Sequence, residues 1–336
     1  MIRKTFKFSS ASVDYYFAAA FTHLKNITDQ KNTVLITDEN VFNLHQKKFR
    51  NWNTIVLKPG EEYKVQGTVD SIIDQLIEIG ADRTTTLIGV GGGVVCDLTG
   101  YVASIYMRGI SFGFVPTTLL AMVDASIGGK NGIDVGVYKN MVGSIRQPGF
   151  ILYDQSFLAT LPDKEWQSGF AEIIKHGCIR DARLFKELEA NTIETYKKKK
   201  ALLTALIQRN ALLKTKIVQQ DEYEKGDRKL LNFGHTLGHA LENQYELSHG
   251  EAISIGMSYA SVLSQQLKGF KHSERVIGLL EKYGLPVFAD FNKDKVFSVL
   301  SKDKKKAGGS VNFILLERIG KAVIEPIPLS QLKQLL

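Results

Sequence analysis

Through its first half the chain alternates short apolar runs with polar, amphipathic stretches. Val34–Thr37 ends on Asp38, Glu39 and Asn40, and Thr54–Leu57 is closed by Pro59-Gly60. Thr86–Val90 runs into Gly91-Gly92-Gly93, and Phe112–Val115 leads into Pro116-Thr117-Thr118. Runs of this length bounded by turn residues predict strands. Residues 61–79, and the stretch from near Asp97 to Tyr106-Met107-Arg108-Gly109, predict helices between them. Strands and helices alternating at this spacing predict a parallel sheet in a Rossmann-like α/β domain. After Tyr153 the texture changes. Residues 164–178, 181–219, 229–246, 249–268 and 273–283 carry helical periodicity, and Val311–Leu316 with Ala322–Ile324 predicts a late β-hairpin. With the boundary expected near residues 155–162, the α/β domain spans 1–158 and a mostly α-helical domain spans 159–336.

Composition narrows the function classes. A chain of 336 residues exceeds what one core holds comfortably. Hydrophobic content of 44% and charged content of 23% are those of an ordinary globular protein. The formal net charge of +8 raises the question of nucleic acid. The basic residues are scattered, however, apart from Lys197–Lys200 and Lys302–Lys306, and none of the basic stretches is interleaved with aromatic residues. The expectation is no nucleic-acid partner and a basic pocket for an anionic small molecule, with Lys197–Lys200 a solvated helix face. Cys96 and Cys178, the only cysteines, supply neither a disulfide framework nor a cysteine-based zinc module. The N-terminal MIRKTFKFSS lacks an apolar signal core, and no apolar run reaches membrane-spanning length, so a cytoplasmic protein without membrane association is expected.

Four stretches carry candidate chemistry. Gly91-Gly92-Gly93 follows a strand and precedes a helix, where glycine lets backbone approach a nucleotide's phosphates and the helix N-terminus presents N–H groups. The dinucleotide fingerprint is incomplete. Cys96 holds the third glycine position, and the acidic residue expected about twenty positions later is missing, Asp38 on an earlier strand being the nearest substitute. Asp124, Gly128-Gly129-Lys130 and Lys139-Asn140 form a polar, glycine-broken run that reads as a functional loop. Its lysines and asparagine, with Arg108, suit a phosphate or a carboxylate.

The densest chemistry lies in Arg228–Glu251, which holds three of the seven histidines. On a helix His235 and His239 stand four apart and project from one face; His249 follows a polar turn. Imidazoles converging this way, joined by a carboxylate, hold a catalytic divalent metal. A zincin is excluded because Thr236 rather than Glu follows the first histidine. Glu172 and Lys175 lie three apart on an otherwise apolar helix (Phe170, Ala171, Ile173, Ile174). By position alone they are either a solvated pair or the source of that carboxylate.

Taken together, these stretches make the chain resemble the 3-dehydroquinate synthase family. The matching segments are PGEEYK (59–64), GGGVVCDLTG (91–100), YMRG (106–109), VPTTLLAMVDASIGGKNGID (115–134), KNMVG (139–143), GFAEIIKHG (169–177), LNFGHTLGHA (231–240) and SHGEA (248–252). They fall in the family's order across both expected domains.

The resemblance implies an NAD-binding α/β domain followed by a helical metal domain, with the active site in the cleft between them. It implies zinc (or cobalt) held by Glu172, His235 and His249, which moves His239 to substrate contact or proton transfer. Expected NAD contacts are Asp38, Asn40, Glu61, Lys64, Gly92, Gly93, Asp97, Thr117 and Thr118, with Lys130 and Lys139 nearby. Expected substrate contacts are Asp124, Lys130, Asn140, Lys175, Lys214, Arg228, Asn232, His239 and Lys304. Family members are homodimers, and the residue matching Arg108 reaches the neighbouring subunit's site. The implied substrate is a sugar acid phosphate, 3-deoxy-D-arabino-heptulosonate 7-phosphate. The implied course is transient oxidation by NAD+, β-elimination of phosphate, re-reduction, ring opening and intramolecular aldol closure.

Four positions depart from the family pattern: Cys96 for glycine, Asn131 for threonine, Asp134 for asparagine and Tyr138 for glycine. Cys96 is expected to bear on NAD affinity, and Asp134 on substrate binding if it faces inward. Other sugar-phosphate cyclases resemble the nucleotide and metal segments, but Asn232 and Lys214 keep the dehydroquinate-synthase pattern. Iron-type alcohol or glycerol dehydrogenases would not require Lys130, Asn140, Lys175 and Arg228 together.

Overall fold

A computed structural model describes residues 1–136, 138–242, 244–302 and 309–335. The chain forms two compact units, Met1–Glu165 with Thr204–Tyr223, and Trp166–Leu203 with Glu224–Leu336.

The first unit is built on a seven-stranded sheet. Its strands are β1 (Ile2–Lys7), β2 (Ser12–Phe17), β3 (Thr33–Asp38), β4 (Asn53–Leu57), β5 (Thr86–Gly91), β6 (Ser111–Pro116) and, after a separate hairpin, β9 (Phe150–Leu152). The order is β1-β2-β9-β6-β5-β3-β4, parallel throughout except for the antiparallel edge strand β1. The central strands are buried along nearly their whole length because both faces are covered. Leu35, Ile88, Val90, Val115 and Leu152 pack with Phe21, Phe49, Trp52 and Phe157 in one core. From β3 the chain runs outward to β4 and then returns to β5 on the other side. The carboxyl ends of β3 and β5 therefore flank a topological switch point, the place where open α/β sheets bind ligands. Helices α1 (Glu39–Phe49), α2 (Gln66–Glu78) and α3 (Gly93–Ile105) follow β3, β4 and β5.

The run from Lys130 onward, which reads as a loop, folds instead as the antiparallel hairpin β7 (Lys130–Val135) and β8 (Tyr138–Ile145). Its glycines hide it. A Cβ on Gly132 would stand 2.6 Å from Val142 O, and one on Gly143 would stand 2.2 Å from Asn131 O. The hairpin docks on α3 through Asn131, whose Nδ2 donates to Gly129 O (2.8 Å) and Arg146 O (3.0 Å). The same side chain fills the space above Gly100, where a Cβ would lie 1.9 Å from its Oδ1.

The second unit begins within α4 (Asp163–Ile179). The stretch 181–219, which reads as one helical region, is three helices: α5 (Ala182–Ala190), α6 (Ile193–Lys198) and α7 (Lys200–Gln220). Side chains of Asp181 and Thr192 accept backbone N–H groups and start the first two. From Thr204 onward α7 belongs to the first unit, whereas the sequence places the whole of it after the boundary. Thr215 Oγ1 donates to Tyr15 Oη at 2.9 Å there. The rest comprises α8 (His235–Glu242), α9 (His249–Lys268), α10 (Ser273–Lys282), α11 (Lys293–Lys302), the hairpin β10 (Ser310–Arg318) with β11 (Lys321–Pro328), and α12 (Leu329–Leu335). Leu237, Leu241, Ile255, Leu263, Val296, Phe313 and Leu332 share its core. None of the helices among the described residues is long and apolar enough to cross a membrane.

Helix propensity favours alanine over glycine within α3, so the Gly100–Asn131 fit sets a sign. Gly100→Ala should destabilise the protein by about 1–3 kcal/mol in thermal unfolding, through overpacking. In an Asn131→Ala background it should be neutral or stabilising; additive effects would show that the two sites do not touch. Asp154 supplies a second test. Its buried carboxylate accepts from Phe21 N (2.9 Å), Ser156 N (2.9 Å) and Lys48 Nζ (3.0 Å). Burial pushes this carboxyl up, and the Ser156, Lys48 and Phe21 donors outweigh it, leaving it below its ordinary value. The resulting stability is present above the unfolded-state pKa and is lost as pH falls through the depressed folded value. Asp154→Asn should flatten the fall of stability below about pH 4 in denaturant titrations, and an unchanged acid limb would contradict this.

Candidate active site

At the switch point Asp38 ends β3 and caps α1, accepting from Val41 N at 3.0 Å. Burial pushes its carboxyl up, against the N–H groups of Val41 and Asn40. Gly92 is the N-cap of α3, and Gly93 opens the helix. Thr117 N donates to Gly91 O at 2.9 Å, and Thr118 Oγ1 accepts from Ala121 N at 3.1 Å. A Cβ on Gly92 would stand 3.1 Å from the Thr118 methyl. Backbone, glycine and Thr118 thus surround a helix N-terminus, the arrangement that suits a pyrophosphate. Cys96 is fully buried behind this turn, and burial pushes its thiol well up.

Lys64 organises the adjoining cluster. Its buried Nζ lies 2.6 Å from Asp97 Oδ2, 2.6 Å from Asn140 Oδ1 and 3.7 Å from Glu61 Oε1, and Lys139 Nζ reaches the same Glu61 oxygen at 3.8 Å. Burial alone would lower the Lys64 pKa, but Asp97 and Glu61 raise it, so it stays charged. Asn140 is held in a left-handed backbone conformation (φ 55°), with its N–H donating to Asp134 Oδ1 at 2.7 Å. Asp134 therefore spends one carboxylate oxygen on the hairpin's own backbone. Tyr138 is exposed. Asp124, in the turn Ala121–Ala125, pairs with Lys214 Nζ at 2.9 Å, and the same ammonium donates to its backbone carbonyl at 2.7 Å. Lys130 is exposed beside Gly128 and Gly129, both at positive φ. Met107 and Arg108 are consecutive non-glycine residues at positive φ (46° and 68°), and Arg108 is exposed. Strain of this kind collects at functional sites.

The second unit holds the other cluster. From Ser168 to Ile179 every residue of α4 is buried, so Glu172 and Lys175 are 0% and 1% exposed. The solvated reading of this pair is thereby excluded: they form a buried ion pair through Glu172 Oε2. Glu172 Oε1 faces His249 Nε2 at 3.1 Å and His235 Nε2 at 3.6 Å. One ligand atom from each of Glu172, His235 and His249 can be chosen so that all lie within 4.8 Å of one another. His239 lies one turn along α8, its ring centroid 5.1 Å from that of His235 and 6.3 Å from that of His249. Burial, and then the Lys175 ammonium, hold the His235 imidazole well below its ordinary pKa. For His249 burial acts the same way but is outweighed by Glu172 and Glu242, and the pKa rises to about 9. Two imidazoles and one carboxylate are a donor set that suits zinc or cobalt.

Nearby, Asn232 Nδ2 donates to Glu224 Oε1 at 2.8 Å, and Arg228 is buried in the short helix Asp227–Asn232. Lys304 lies outside the described residues. Two acidic residues escaped the sequence reading, Glu224 and Glu242. The second had a signal: it follows His235 and His239 at helical spacing, seven and three residues on.

Comparison with known proteins adds to this geometry. Residues 54–168 match the profile described as 3-dehydroquinate synthase N-terminal, and residues 169–306 match 3-dehydroquinate synthase C-terminal. A 3-dehydroquinate synthase of Nitrosospira multiformis is 43% identical over 310 residues, covering 88% of this chain and 85% of that protein. Among solved structures, 2-epi-5-epi-valiolone synthase from Streptomyces hygroscopicus subsp. jinggangensis, with NAD+ and Zn2+ bound, superposes with a TM-score of 0.88. It is 27% identical, covering 100% of this chain and 97% of that one. A 2-deoxy-scyllo-inosose synthase complexed with carbaglucose-6-phosphate, NAD+ and Co2+ has a TM-score of 0.83 at 26% identity, covering 99% of both chains.

Glu172→Gln, which keeps the size of the side chain, should abolish zinc retention measured by elemental analysis. His235→Ala and His249→Ala should do the same, and His239→Ala should retain the metal. Full zinc content in any of the first three would remove that residue from the ligand set.

Proposed function

The chain belongs to the 3-dehydroquinate synthase family, and we propose on that footing that it converts 3-deoxy-D-arabino-heptulosonate 7-phosphate into 3-dehydroquinate and phosphate. The observation that carries the reading is the buried Glu172–Lys175 pair facing His235 and His249, in a chain 43% identical to a 3-dehydroquinate synthase. The reaction makes it a carbon–oxygen lyase acting on a phosphate, on the route to the aromatic amino acids.

NAD+ would be held in the first unit by Asp38, Asn40, Glu61, Lys64, Gly92, Gly93, Asp97, Thr117 and Thr118, with Lys139 beside them. Zn2+ or Co2+ would be held in the second by Glu172, His235 and His249. When bound, these groups would supply reversible hydride acceptance and a Lewis acid for a sugar hydroxyl and the ketone it becomes. The chain's own side chains bind and orient. Lys130, Asn140, Arg228 and Lys214 offer cationic and amide donors to the substrate's anionic ends, with Arg108 and Lys304 as further cations. The Asp124–Lys214 ion pair holds that ammonium at a fixed point. Lys175 pairs with Glu172 through Oε2, which leaves Oε1 facing the two imidazoles. His239 and Asn232, one on α8 and one just before it, complete the substrate contacts. Because the leaving phosphate can itself accept the proton lost in the elimination, a strong protein base is not required.

A homodimer is part of the reading. Exposed Ile105 and Met107 precede Arg108 at the end of α3, where Ser104 Oγ meets Ser144 Oγ of β8 at 2.8 Å, and Met141 and Ile145 of that strand are exposed. An apolar patch beside the strained Arg108 fits a partner subunit better than water. Both cysteines are free and buried, in keeping with a reducing cytoplasm.

Zinc-loaded protein supplied with NAD+ and the heptulosonate phosphate should release phosphate and 3-dehydroquinate in equal amounts, with no net NADH. Net NADH without phosphate would make it a dehydrogenase, and turnover only of other sugar phosphates would make it another cyclase. Arg228→Ala should raise KM or lower kcat/KM by about 100-fold while NAD+ and zinc binding persist, as expected for loss of a charged contact worth about 3 kcal/mol. Equal loss of NAD+ affinity would contradict its assignment.

A further inference from the structure

The two imidazoles that face Glu172 are treated alike. Each turns Nε2 toward the Glu172 carboxylate, at 3.6 Å for His235 and 3.1 Å for His249. A metal-binding nitrogen offers a lone pair, so the ring proton must sit on Nδ1, and an acceptor there fixes both tautomer and ring plane. For His235 that acceptor is the backbone carbonyl of Phe233, at 3.2 Å. For His249 the group facing Nδ1 is the carboxylate of Glu242, at 3.7 Å. That distance exceeds a direct hydrogen bond, and bonds at such sites are often long until the site is loaded.

Glu242 occupies a costly place for a carboxylate. It ends α8 beside Ala240 and Leu241, both buried, and its side chain is 7% exposed. Burying an ionised group there is unfavourable unless it serves a cation or donor. Its oxygen also lies within 4.8 Å of ring nitrogens of both His239 and His249. At the other side of the contact, His249 is the first residue of α9, and the reciprocal bonds of Ser248 with Glu251 hold its backbone. The side chain is still 34% exposed, so its backbone anchor does not by itself fix the ring.

We propose that Glu242 is the positioning residue of the metal centre: it takes the Nδ1–H of His249 and so presents Nε2 to the metal, the part played for His235 by the Phe233 carbonyl. The inference rests on the metal assignment above and goes beyond it, because Glu242 acts through His249 without being a ligand.

The test is zinc affinity by chelator competition on folded, full-length protein, with Glu242→Gln beside Glu242→Leu. Removal of such a carboxylate should weaken zinc by about 10–100-fold in Glu242→Leu. Glu242→Gln retains an acceptor oxygen and should recover most of that loss, which a merely structural role would not predict. Imidazole 15N shifts of the zinc-loaded wild type should place the His249 proton on Nδ1. Wild-type affinity in both variants overturns the proposal, as does a proton on Nε2. Complete loss of zinc in Glu242→Gln, matching Glu172→Gln, also overturns it by making Glu242 a ligand. If Glu172→Gln itself keeps zinc, the metal assignment fails instead, so the two failures are distinguishable. Should Glu242→Leu not fold, the glutamine variant and the tautomer decide the matter.

Discussion

The second unit depends on a carboxylate placed where water cannot reach it. Helix α4 is buried on every side from Ser168 onward, and Glu172 lies in its middle. An isolated charge there would cost several kcal/mol, so it persists only with compensation. Lys175, one turn on, supplies one charge, and imidazoles from α8 and α9 line the other oxygen. Glycines set how closely these helices meet. A Cβ on Gly250 would stand 2.5 Å from Ser168 Cα, and one on Gly256 would stand 1.9 Å from Gly234 O. The backbones therefore approach as only glycine permits, and that approach brings His249 to Glu172.

The first unit solves a different problem, which is how to hold many charged groups at the open end of a parallel sheet. Lys64 does this by joining Asp97 of α3 to Asn140 of β8, while its own backbone carbonyl accepts from Asp134 N at 2.8 Å. The hairpin, the helix and the segment after β4 are thus tied through one buried ammonium. Asp134, which departs from the family pattern, is absorbed into this arrangement as a backbone acceptor. Asn131, another departure, packs against a glycine of α3 that leaves room for it.

What could be read from the sequence follows from how local the signal is. The strands around Val34, Thr86 and Phe112 are buried on both faces and stand out as continuous apolar runs. Helices α9 and α10 were legible for the same reason of pattern. The β7–β8 hairpin was not, because its close approaches use Gly132 and Gly143 while most of its apolar residues, Met141 and Ile145 among them, are exposed. The breaks between α5, α6 and α7 rest on single capping residues inside a continuing helical period. Glu172 and Lys175 could be located from spacing but not assigned, since solvated and buried Glu–Lys pairs share it; the burial of the whole helix decides between them. Glu242 shares a helical spacing with His235 and His239 in the sequence, but only the fold brings His249 beside it.

X-ray absorption at the zinc edge of the loaded enzyme tests the account most directly, because it reads the atoms around the metal. The account predicts nitrogen and oxygen neighbours that include two imidazoles and a carboxylate oxygen, with no sulfur, and no bound-zinc signal at all in Glu172→Gln. Three imidazoles around the metal, or a wild-type zinc signal in Glu172→Gln, would contradict it.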